Sequence, residues 1–201
     1  MSNDTKDRIL EAALEIFSRD GYAGANLKDI AEAVGVVKSG FYRHYASKEE
    51  LWNAVLDEME LYYAERFGSS GNMPAIPQST DELKTLTLRM LDFTMHDKKI
   101  IMTRKILLTE QFRDARVRAL ATKHFGTAME VLFTKIFAGM MENGSLGRGD
   151  PAMLAFVYAT PISSLIHYCD REPEKEPEIM EQIEAFVKHF IKMYERKQIK
   201  L

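Results

Sequence analysis

Two short helical segments that meet at Gly35 constrain the fold of this chain more than any other feature. Before the glycine, apolar residues recur from Leu27 to Val34 at helical spacing. After it, Phe41 and Tyr45 lie one helical turn apart and are expected to face inward. An earlier apolar stripe predicts a supporting helix: Ile9, Ala13, Ile16 and Phe17. The pattern predicts a helix-turn-helix, an arrangement that many small helical domains share without binding DNA.

The rest of the chain also has helical periodicity. Ser47 and Glu50 form a capping box that opens a long fourth helix ending near Phe67. Residues 68–80 are rich in Gly, Ser and Pro and predict a loop. A second capping box, from Ser79 to Glu82, opens the next predicted helix, residues 79–95. Further helices are predicted over residues 100–110, 114–142, 150–170 and 177–196. Because no segment alternates between apolar and polar residues as strands do, we expect an all-α fold.

The composition predicts a folded cytoplasmic protein. Of 201 residues, 46% are hydrophobic and 28% are charged, which argues for a packed core and against disorder. No run of 18 apolar residues occurs, and residues 1–7 are polar with acidic members. We therefore expect neither a membrane-spanning helix nor a secretory signal peptide. The single cysteine, Cys169, excludes an internal disulfide and a cysteine-built zinc site.

No residue pattern typical of an enzyme or a metal site stands out. The histidines are scattered along the chain at His44, His96, His124, His167 and His189. His167 and Cys169 are two positions apart, which points them to different sides of a helix. No Ser/His/Asp order, glycine-rich phosphate loop or pair of catalytic carboxylates is apparent. We expect no enzymatic activity, no cofactor and no metal.

Basic residues are concentrated in one acid-free stretch. The net charge is −3, from 27 basic and 30 acidic residues, which argues against a chain that coats nucleic acid by bulk charge. Residues 36–48 nevertheless contain Lys38, Arg43, His44 and Lys48 and no carboxylate. Such a patch is compatible with a phosphate-binding surface. Charge alone favours the simpler interpretation, a solvated helix face.

Residues 5–56 resemble the DNA-binding domain of the tetracycline-repressor (TetR) family of bacterial regulators. The matching stretches are residues 9–17, 21–22, 27–36 and 38–51, which read ILEAALEIF, GY, LKDIAEAVGV and KSGFYRHYASKEEL. The resemblance implies an N-terminal three-helix DNA-binding domain, residues 1–50. The long fourth helix would join it to a C-terminal helical domain, residues 51–201, that binds an effector and dimerises.

In the family, the third helix enters the major groove of a DNA operator. The residues that the resemblance places at DNA are Lys28, Lys38, Ser39, Gly40, Tyr42, Arg43, His44 and Lys48. Tyr42 and Lys48 are expected at phosphates, and Lys28 at a flanking phosphate. Base edges are expected to be contacted by Lys38, Arg43 and His44.

Two positions depart from the family pattern. Val37 stands before the recognition helix, where Ser or Thr is usual, and its side chain cannot cap the helix. Gly40 stands where Thr or Ser is common and offers no side chain to a base. Either the backbone approaches DNA closely at Gly40, or the helix frays in the absence of DNA.

An effector site is expected after residue 57, where eleven of the twelve methionines and nine of the eleven phenylalanines lie. The predicted ligand-binding residues are Tyr62, Met90, Phe93, Met102, His124, Phe125, Met129, Phe156, Thr160 and Ser164. Since most of this lining is apolar and adaptable, the expected effector is a small apolar or amphipathic molecule. Ordinary core packing is the alternative for each residue.

The last two predicted helices carry apolar stripes that suggest a homodimer. The stripes comprise Ile179, Ile183, Phe186, Val187, Phe190 and Tyr194, and Leu154, Val157, Tyr158, Pro161, Leu165 and Tyr168. A thin domain is not expected to cover both, whereas a four-helix bundle with a second copy does. The predicted function is a repressor that binds a palindromic operator as a homodimer and is released by its effector. The alternative is a helical dimeric binding or scaffold protein without operator binding.

Overall fold

The computed structural model describes residues 2–67 and 73–195, with the backbone alone for residues 2, 3, 38 and 67. Ten α-helices occur in these ranges: α1 (Ser2–Gly24), α2 (Leu27–Ala33), α3 (Lys38–Phe41), α4 (Lys48–Phe67), α5 (Thr80–His96), α6 (Lys98–Glu110), α7 (Ala115–Thr122), α8 (Ala128–Glu142), α9 (Pro151–Arg171) and α10 (Glu176–Tyr194). The described residues contain no strand, and the predicted all-α fold is confirmed. Part of the predicted loop, residues 68–72, lies outside the described residues.

The described chain packs as two compact units. The N-terminal unit contains residues 2–67 and 98–121, and the C-terminal unit contains residues 73–97 and 122–195. In the first, α1 packs against α2, α4 and α6; in the second, α9 packs against α8 and α10. These units are defined by packing. The functional boundary predicted at residue 50 stays a prediction.

The first helices form the predicted helix-turn-helix. Asn26 caps α2, because its side chain accepts the N–H of Lys28 at 3.0 Å. Gly35 ends α2 with φ +69°, a conformation that favours glycine. The N–H of Val36 then donates back to the carbonyl of Ala31 at 2.9 Å, which completes the helix-ending Schellman turn. The residues buried among these helices include Ile9, Phe17, Ile30, Phe41 and Leu51.

The third helix is shorter than predicted. Only Lys38–Phe41 is α-helical, whereas the sequence pattern extended to Tyr45. Beyond Phe41, the N–H groups of Arg43 and His44 donate to carbonyls three residues back, at 3.3 and 2.9 Å. This tighter spacing is that of a turn, and glycine at position 40 weakens the helix further.

Both predicted capping boxes are present. The N–H of Glu50 donates to the Ser47 hydroxyl at 3.0 Å, and the N–H of Glu82 donates to the Ser79 hydroxyl at 3.1 Å. Each glutamate carboxylate in turn accepts the N–H of the residue before its serine, at 2.7 and 2.8 Å. These contacts satisfy N–H groups that have no partner inside α4 and α5, and they fix where the two helices begin.

The predicted single helix over residues 114–142 is interrupted. Residues Lys123–Thr127 form a π-helical turn between α7 and α8. A π turn accommodates one extra residue, so the helical pattern in the sequence runs on while the backbone locally widens. Asp114 begins α7 as predicted, since its carboxylate accepts the N–H groups of Arg116 and Val117 at 2.7 and 3.1 Å.

The prediction that only a second copy could cover the apolar stripes of α9 and α10 is wrong. Six of their residues are buried within the C-terminal unit itself: Leu154, Tyr158, Ile179, Ile183, Val187 and Phe190. Helices α5 and α8 contribute to the same core, for example through Leu83 and Phe137. The hydroxyl of Tyr158 is hydrogen-bonded to Thr87 of α5 at 2.7 Å. The unit is therefore thick enough to cover these stripes without a second copy.

The exposed face of α9 is also apolar. Met153, Phe156 and Val157 point away from the core, and Phe156 is 51% exposed. By length and composition alone, α9 is apolar enough to cross a membrane, and about a third of its most apolar stretch is buried inside the unit. The helix thus has one face committed to the core and one apolar face that is open.

Candidate DNA-binding interface

The short helix α3 is held from below by two aromatic side chains. Phe41 and Tyr45 are buried, and their ring centroids lie 6.4 Å apart. Burial, reinforced by the nearby carboxylates of Asp7, Glu50 and Glu58, raises the pKa of Tyr45 to about 12. Because both rings are buried and in contact, they anchor the backbone of α3 to the core of the domain.

The opposite side of α3 is open to solvent. Ser39, Tyr42 and Arg43 are exposed, and His44 is half-buried. The side chain of Lys38, also predicted at DNA, lies outside the described residues. The structure therefore places Ser39, Tyr42 and Arg43 on one accessible surface, with His44 at its edge.

Neighbouring side chains account for Gly40. A Cβ built on Gly40 would lie 3.0 Å from Cγ1 of Val36, closer than such atoms ordinarily approach. Val37 provides no side-chain cap, as predicted; its carbonyl accepts the N–H groups of Gly40 and Phe41 at 2.8 and 3.0 Å. The glycine is thus explained by packing inside the domain, independently of any approach to DNA.

The two lysines that flank α3 differ in their surroundings. Lys28 is exposed and forms an ion pair with Glu32 at 3.6 Å, one helical turn away. Such a surface pair contributes little stability and is easily exchanged for a phosphate. Lys48 is half-buried; its Nζ donates to the carbonyl of Ala23 at 3.3 Å and lies 4.8 Å from the ring centroid of Tyr22. Lys48 therefore has a defined position beside the end of α1.

Two aromatic rings and two carboxylates hold the residues next to Lys48 in position. The ring of Tyr22 lies 5.2 Å from that of Trp52, whose indole N–H donates to Asp114 at 2.9 Å. The backbone N–H of Tyr22 donates to the buried carboxylate of Glu110 at 3.2 Å. Gly21, at φ +69°, leaves room for that carboxylate, because a Cβ there would lie 2.6 Å from its oxygen. Residues 110–114 thus fix the end of α1.

Sequence reasoning missed Glu110, Asp114 and Arg8. The Arg8 guanidinium donates to the carbonyl of Val34 at 2.8 Å, where a cation complements the end of α2. These contacts join residues 26, 62 and 88 positions apart. A local sequence pattern does not indicate partners that lie so far apart in the chain. The sequence does show that Glu110 and Asp114 are one helical turn apart, but not what they contact.

The predicted effector residues are divided between the two units. Tyr62 and Met102 belong to the N-terminal unit, where Tyr62 lies under Lys99 at 4.5 Å and Met102 is buried. The C-terminal unit holds the remaining eight. Of these, Met90, Phe93, His124, Phe125 and Met129 are half-buried. The Phe125 ring, in the π turn, packs edge-on against His167 of α9 at 4.7 Å.

Three of the residues predicted to line the effector site face solvent. Phe156, Thr160 and Ser164 are exposed on α9, on the side away from the buried Tyr158. The sequence identified the helix correctly, but the face that turns inward is set by Leu154, Tyr158 and their neighbours. These three residues do not line the interior of the unit, and their contact with an effector stays a prediction.

The anchored, solvent-open α3 after a glycine turn completes a helix-turn-helix, an arrangement that many DNA-binding proteins share. More particularly, residues 9–55 match the model of the bacterial regulatory proteins of the tetR family. The family match thus covers the helix-turn-helix part of the chain.

Relatives of known name agree with this assignment over part of the chain. The chain is 36% identical over 58 residues to the biofilm operon negative transcriptional regulator IcaR of Staphylococcus epidermidis, covering 29% of this chain and 31% of IcaR. It is 28% identical over 105 residues to the transcriptional regulator AcrR of Shigella flexneri, covering 49% and 45%. The chain thus spans less than half the length of these curated relatives.

Solved structures match the fold over nearly the whole chain. A tetR-family regulator from Mesorhizobium loti superposes with a TM-score of 0.64 at 21% identity, covering 98% of this chain and 99% of that one. SmeT, the repressor of a Stenotrophomonas maltophilia multidrug efflux pump, has a TM-score of 0.68 in its triclosan complex, at 18% identity and 98% and 95% coverage. At this identity the likeness establishes the fold.

Proposed function

We propose that the chain is a cytoplasmic transcriptional repressor that binds a palindromic DNA operator as a homodimer. The observation that carries the proposal is the anchored α3, with Phe41 and Tyr45 buried beneath it and Tyr42 and Arg43 exposed above. The surrounding residues 36–48 contain no carboxylate to repel phosphate. Exposed tyrosine and arginine side chains at the end of the recognition helix suit phosphate and base contacts in the major groove.

The test begins with selection of duplexes from a random DNA library by the full chain. Arg43→Ala is expected to reduce discrimination between selected and random duplexes, because arginine recognises guanine edges. Lys48→Ala is expected to weaken both alike and to lower the salt dependence, because a phosphate contact carries no sequence information. Lys105→Ala, an exposed lysine of α6, is the matched control and is expected to change neither.

Equal losses on selected and random DNA for Arg43→Ala and Lys48→Ala would contradict these roles. Failure to select any duplex above the random pool would contradict operator binding altogether. That outcome would favour the alternative, a helical binding or scaffold protein.

The homodimer is proposed to form through the open apolar face of α9. Met153, Phe156 and Val157 on α9 and Val131 on the neighbouring α8 are all exposed apolar side chains of one unit. Large apolar side chains exposed together on one helix suit an interaction site. A second copy is its proposed partner, because a twofold axis matches a palindromic operator.

Two phenylalanine substitutions test the dimer. Phe156→Asp is expected to give a folded monomer in sedimentation at micromolar concentration, with loss of operator affinity. Phe112→Asp is the control: Phe112 is 82% exposed in the other unit, and its substitution is expected to leave the dimer intact. Phe190→Asp, in contrast, is expected to unfold the C-terminal unit, because Phe190 is buried in the core. A dimeric Phe156→Asp variant would overturn the proposed interface.

The proposed effector is a small apolar or amphipathic molecule held in the C-terminal unit, near the π turn. Support comes from half-buried, adaptable side chains grouped there, and from the frequent occurrence of π turns at functional sites. A thermal-shift screen of hydrophobic compounds, followed by operator titration, tests the proposal. Phe125→Ala is expected to weaken the thermal shift, with Phe112→Ala as control. Compounds that stabilise the protein but leave operator affinity unchanged would contradict release by an effector.

A further inference from the structure

Val37 exposes an apolar side chain immediately before the first residue of the recognition helix. Among the large apolar side chains of residues 4–66, it is the most exposed, at 73%. Polar or charged side chains are the rule on a surface built only to contact phosphate. An exposed isopropyl group on this surface therefore needs its own explanation.

The backbone fixes Val37 at the start of α3. Its carbonyl accepts the first two hydrogen bonds of that helix, from Gly40 and Phe41. In helix-turn-helix proteins, the N-terminal residues of the recognition helix contact base edges in the major groove. Val37 stands at that end, next in chain to Lys38 and Ser39.

Gly40 leaves Val37 open on one side. A Cβ at Gly40 would lie in contact with Cγ2 of Val37, at 3.7 Å. Glycine at this position, one turn further along α3, contributes no side chain that could cover that methyl group. Val37 also borders an open groove of about 670 Å³ between α2 and α3, whose other apolar members include Leu27, Ala31 and Val36. The γ-methyl groups are thus accessible to a partner from outside.

We propose that Val37 is a specificity-determining residue that recognises thymine, by packing its isopropyl group against the thymine C5-methyl. The inference rests on the proposed operator binding. The thymine methyl is the one alkyl group that the four bases present in the major groove, where most other distinguishing features are hydrogen-bond donors or acceptors. Valine has no side-chain donor or acceptor, so thymine is the base that it can favour.

The test uses the full chain and its selected duplex, with each thymine replaced in turn by deoxyuridine. This replacement removes only the C5-methyl and keeps Watson–Crick pairing. For the wild type, affinity is expected to fall about fourfold per half-site at one symmetry-related thymine pair, the effect of about one buried methyl group. Val37→Ala is expected to bind the thymine duplex with a similar loss and to be insensitive to deoxyuridine at that pair.

Two further variants separate this contact from general weakening. Lys48→Ala, which removes a proposed phosphate contact, is expected to weaken every duplex and to retain the wild-type sensitivity to deoxyuridine. Gly40→Ala is expected to reduce it, because the added methyl would cover Val37 and press on Val36. Circular dichroism verifies that each variant is folded.

The outcomes distinguish this proposal from the function on which it rests. Tight binding of a selected duplex with no sensitivity to any single deoxyuridine would overturn the role of Val37 and leave operator binding intact. A Val37→Ala variant that keeps the full wild-type sensitivity at every thymine would overturn that role as well. If no duplex is selected, operator binding fails and the proposal fails with it.

Discussion

The hydrogen bond between Trp52 and Asp114 is expected to stabilise the N-terminal unit measurably. It joins α4 to the start of α7 across 62 positions, with an N–O distance of 2.9 Å. Hydrogen bonds to a charged acceptor contribute about 1.5–3 kcal/mol, and the half-buried position of Asp114 favours the low end. Trp52→Phe, which keeps a ring but removes the N–H, is therefore expected to cost about 1.5 kcal/mol.

Asp114→Ala is expected to cost more, because Asp114 also caps α7 through Arg116 and Val117. The cap adds about 1 kcal/mol, for a total of about 2.5 kcal/mol. In the double variant, the Trp52 substitution should add little, so the coupling energy equals about 1.5 kcal/mol. Urea unfolding followed by circular dichroism measures each free energy of unfolding.

The control is Asp57→Ala, which removes an exposed carboxylate paired with Arg116 in the same unit. Its expected cost is below about 1 kcal/mol. A coupling energy between Trp52 and Asp114 below about 0.5 kcal/mol, the usual error of additivity, would refute the reasoning.

The same contact predicts how stability changes in acid. Burial alone would raise the pKa of Asp114, but the hydrogen bonds from Trp52 and from the N–H groups of Val117 and Arg116 outweigh it and hold the pKa below its usual value. A carboxylate with a lowered folded-state pKa stabilises the protein above the unfolded-state pKa, about 4. That contribution is lost as the pH falls through the folded-state pKa. Asp114→Ala should therefore lose less stability than the wild type over this acid range.

Two further predictions concern single contacts. The hydrogen bond from His96 to Glu176 raises the pKa of His96, so its stabilising effect should be present below pH about 6.5 and be lost as the pH rises through the raised value. His96→Gln should lower the melting temperature at pH about 5.5 and have less effect at pH about 8.5. Because the pair is exposed, the loss in the free energy of unfolding should be at most about 1 kcal/mol. Gly21→Ala should destabilise by about 1–3 kcal/mol, because Gly21 has a positive φ with an extended ψ that is essentially restricted to glycine, and because the added methyl would meet Glu110. Gly24→Ala, where the added methyl meets only ordinary contacts, is the control, and equal melting temperatures for the two would contradict the expected strain.

Local patterns predicted the features of this fold that depend on neighbouring residues. The turn at Gly35 and the caps at Ser47 and Ser79 follow from residue types within four positions of one another, and the structure has them where the sequence placed them. The buried Phe41 and Tyr45 likewise follow from their spacing and from the family resemblance.

The features that the sequence missed depend on distant partners. The apolar stripe of α10 was evident, but whether its own unit or a second copy covers Phe190 depends on where α5 and α8 pack. The π turn at residues 123–127 keeps a helical pattern, so periodicity alone does not reveal it. Glu110 contacts Tyr22 across 88 positions, and nothing within one helix indicates that contact.

The aromatic cluster beside Lys48 has a practical consequence. The chain contains a single tryptophan, and it is Trp52, whose ring lies 5.2 Å from Tyr22, the same ring on which Lys48 rests. The tryptophan emission of the unlabelled protein therefore originates from one buried site next to a proposed phosphate contact. Titration with operator DNA should alter that emission directly, so the protein carries its own optical reporter for occupancy of its DNA-binding surface.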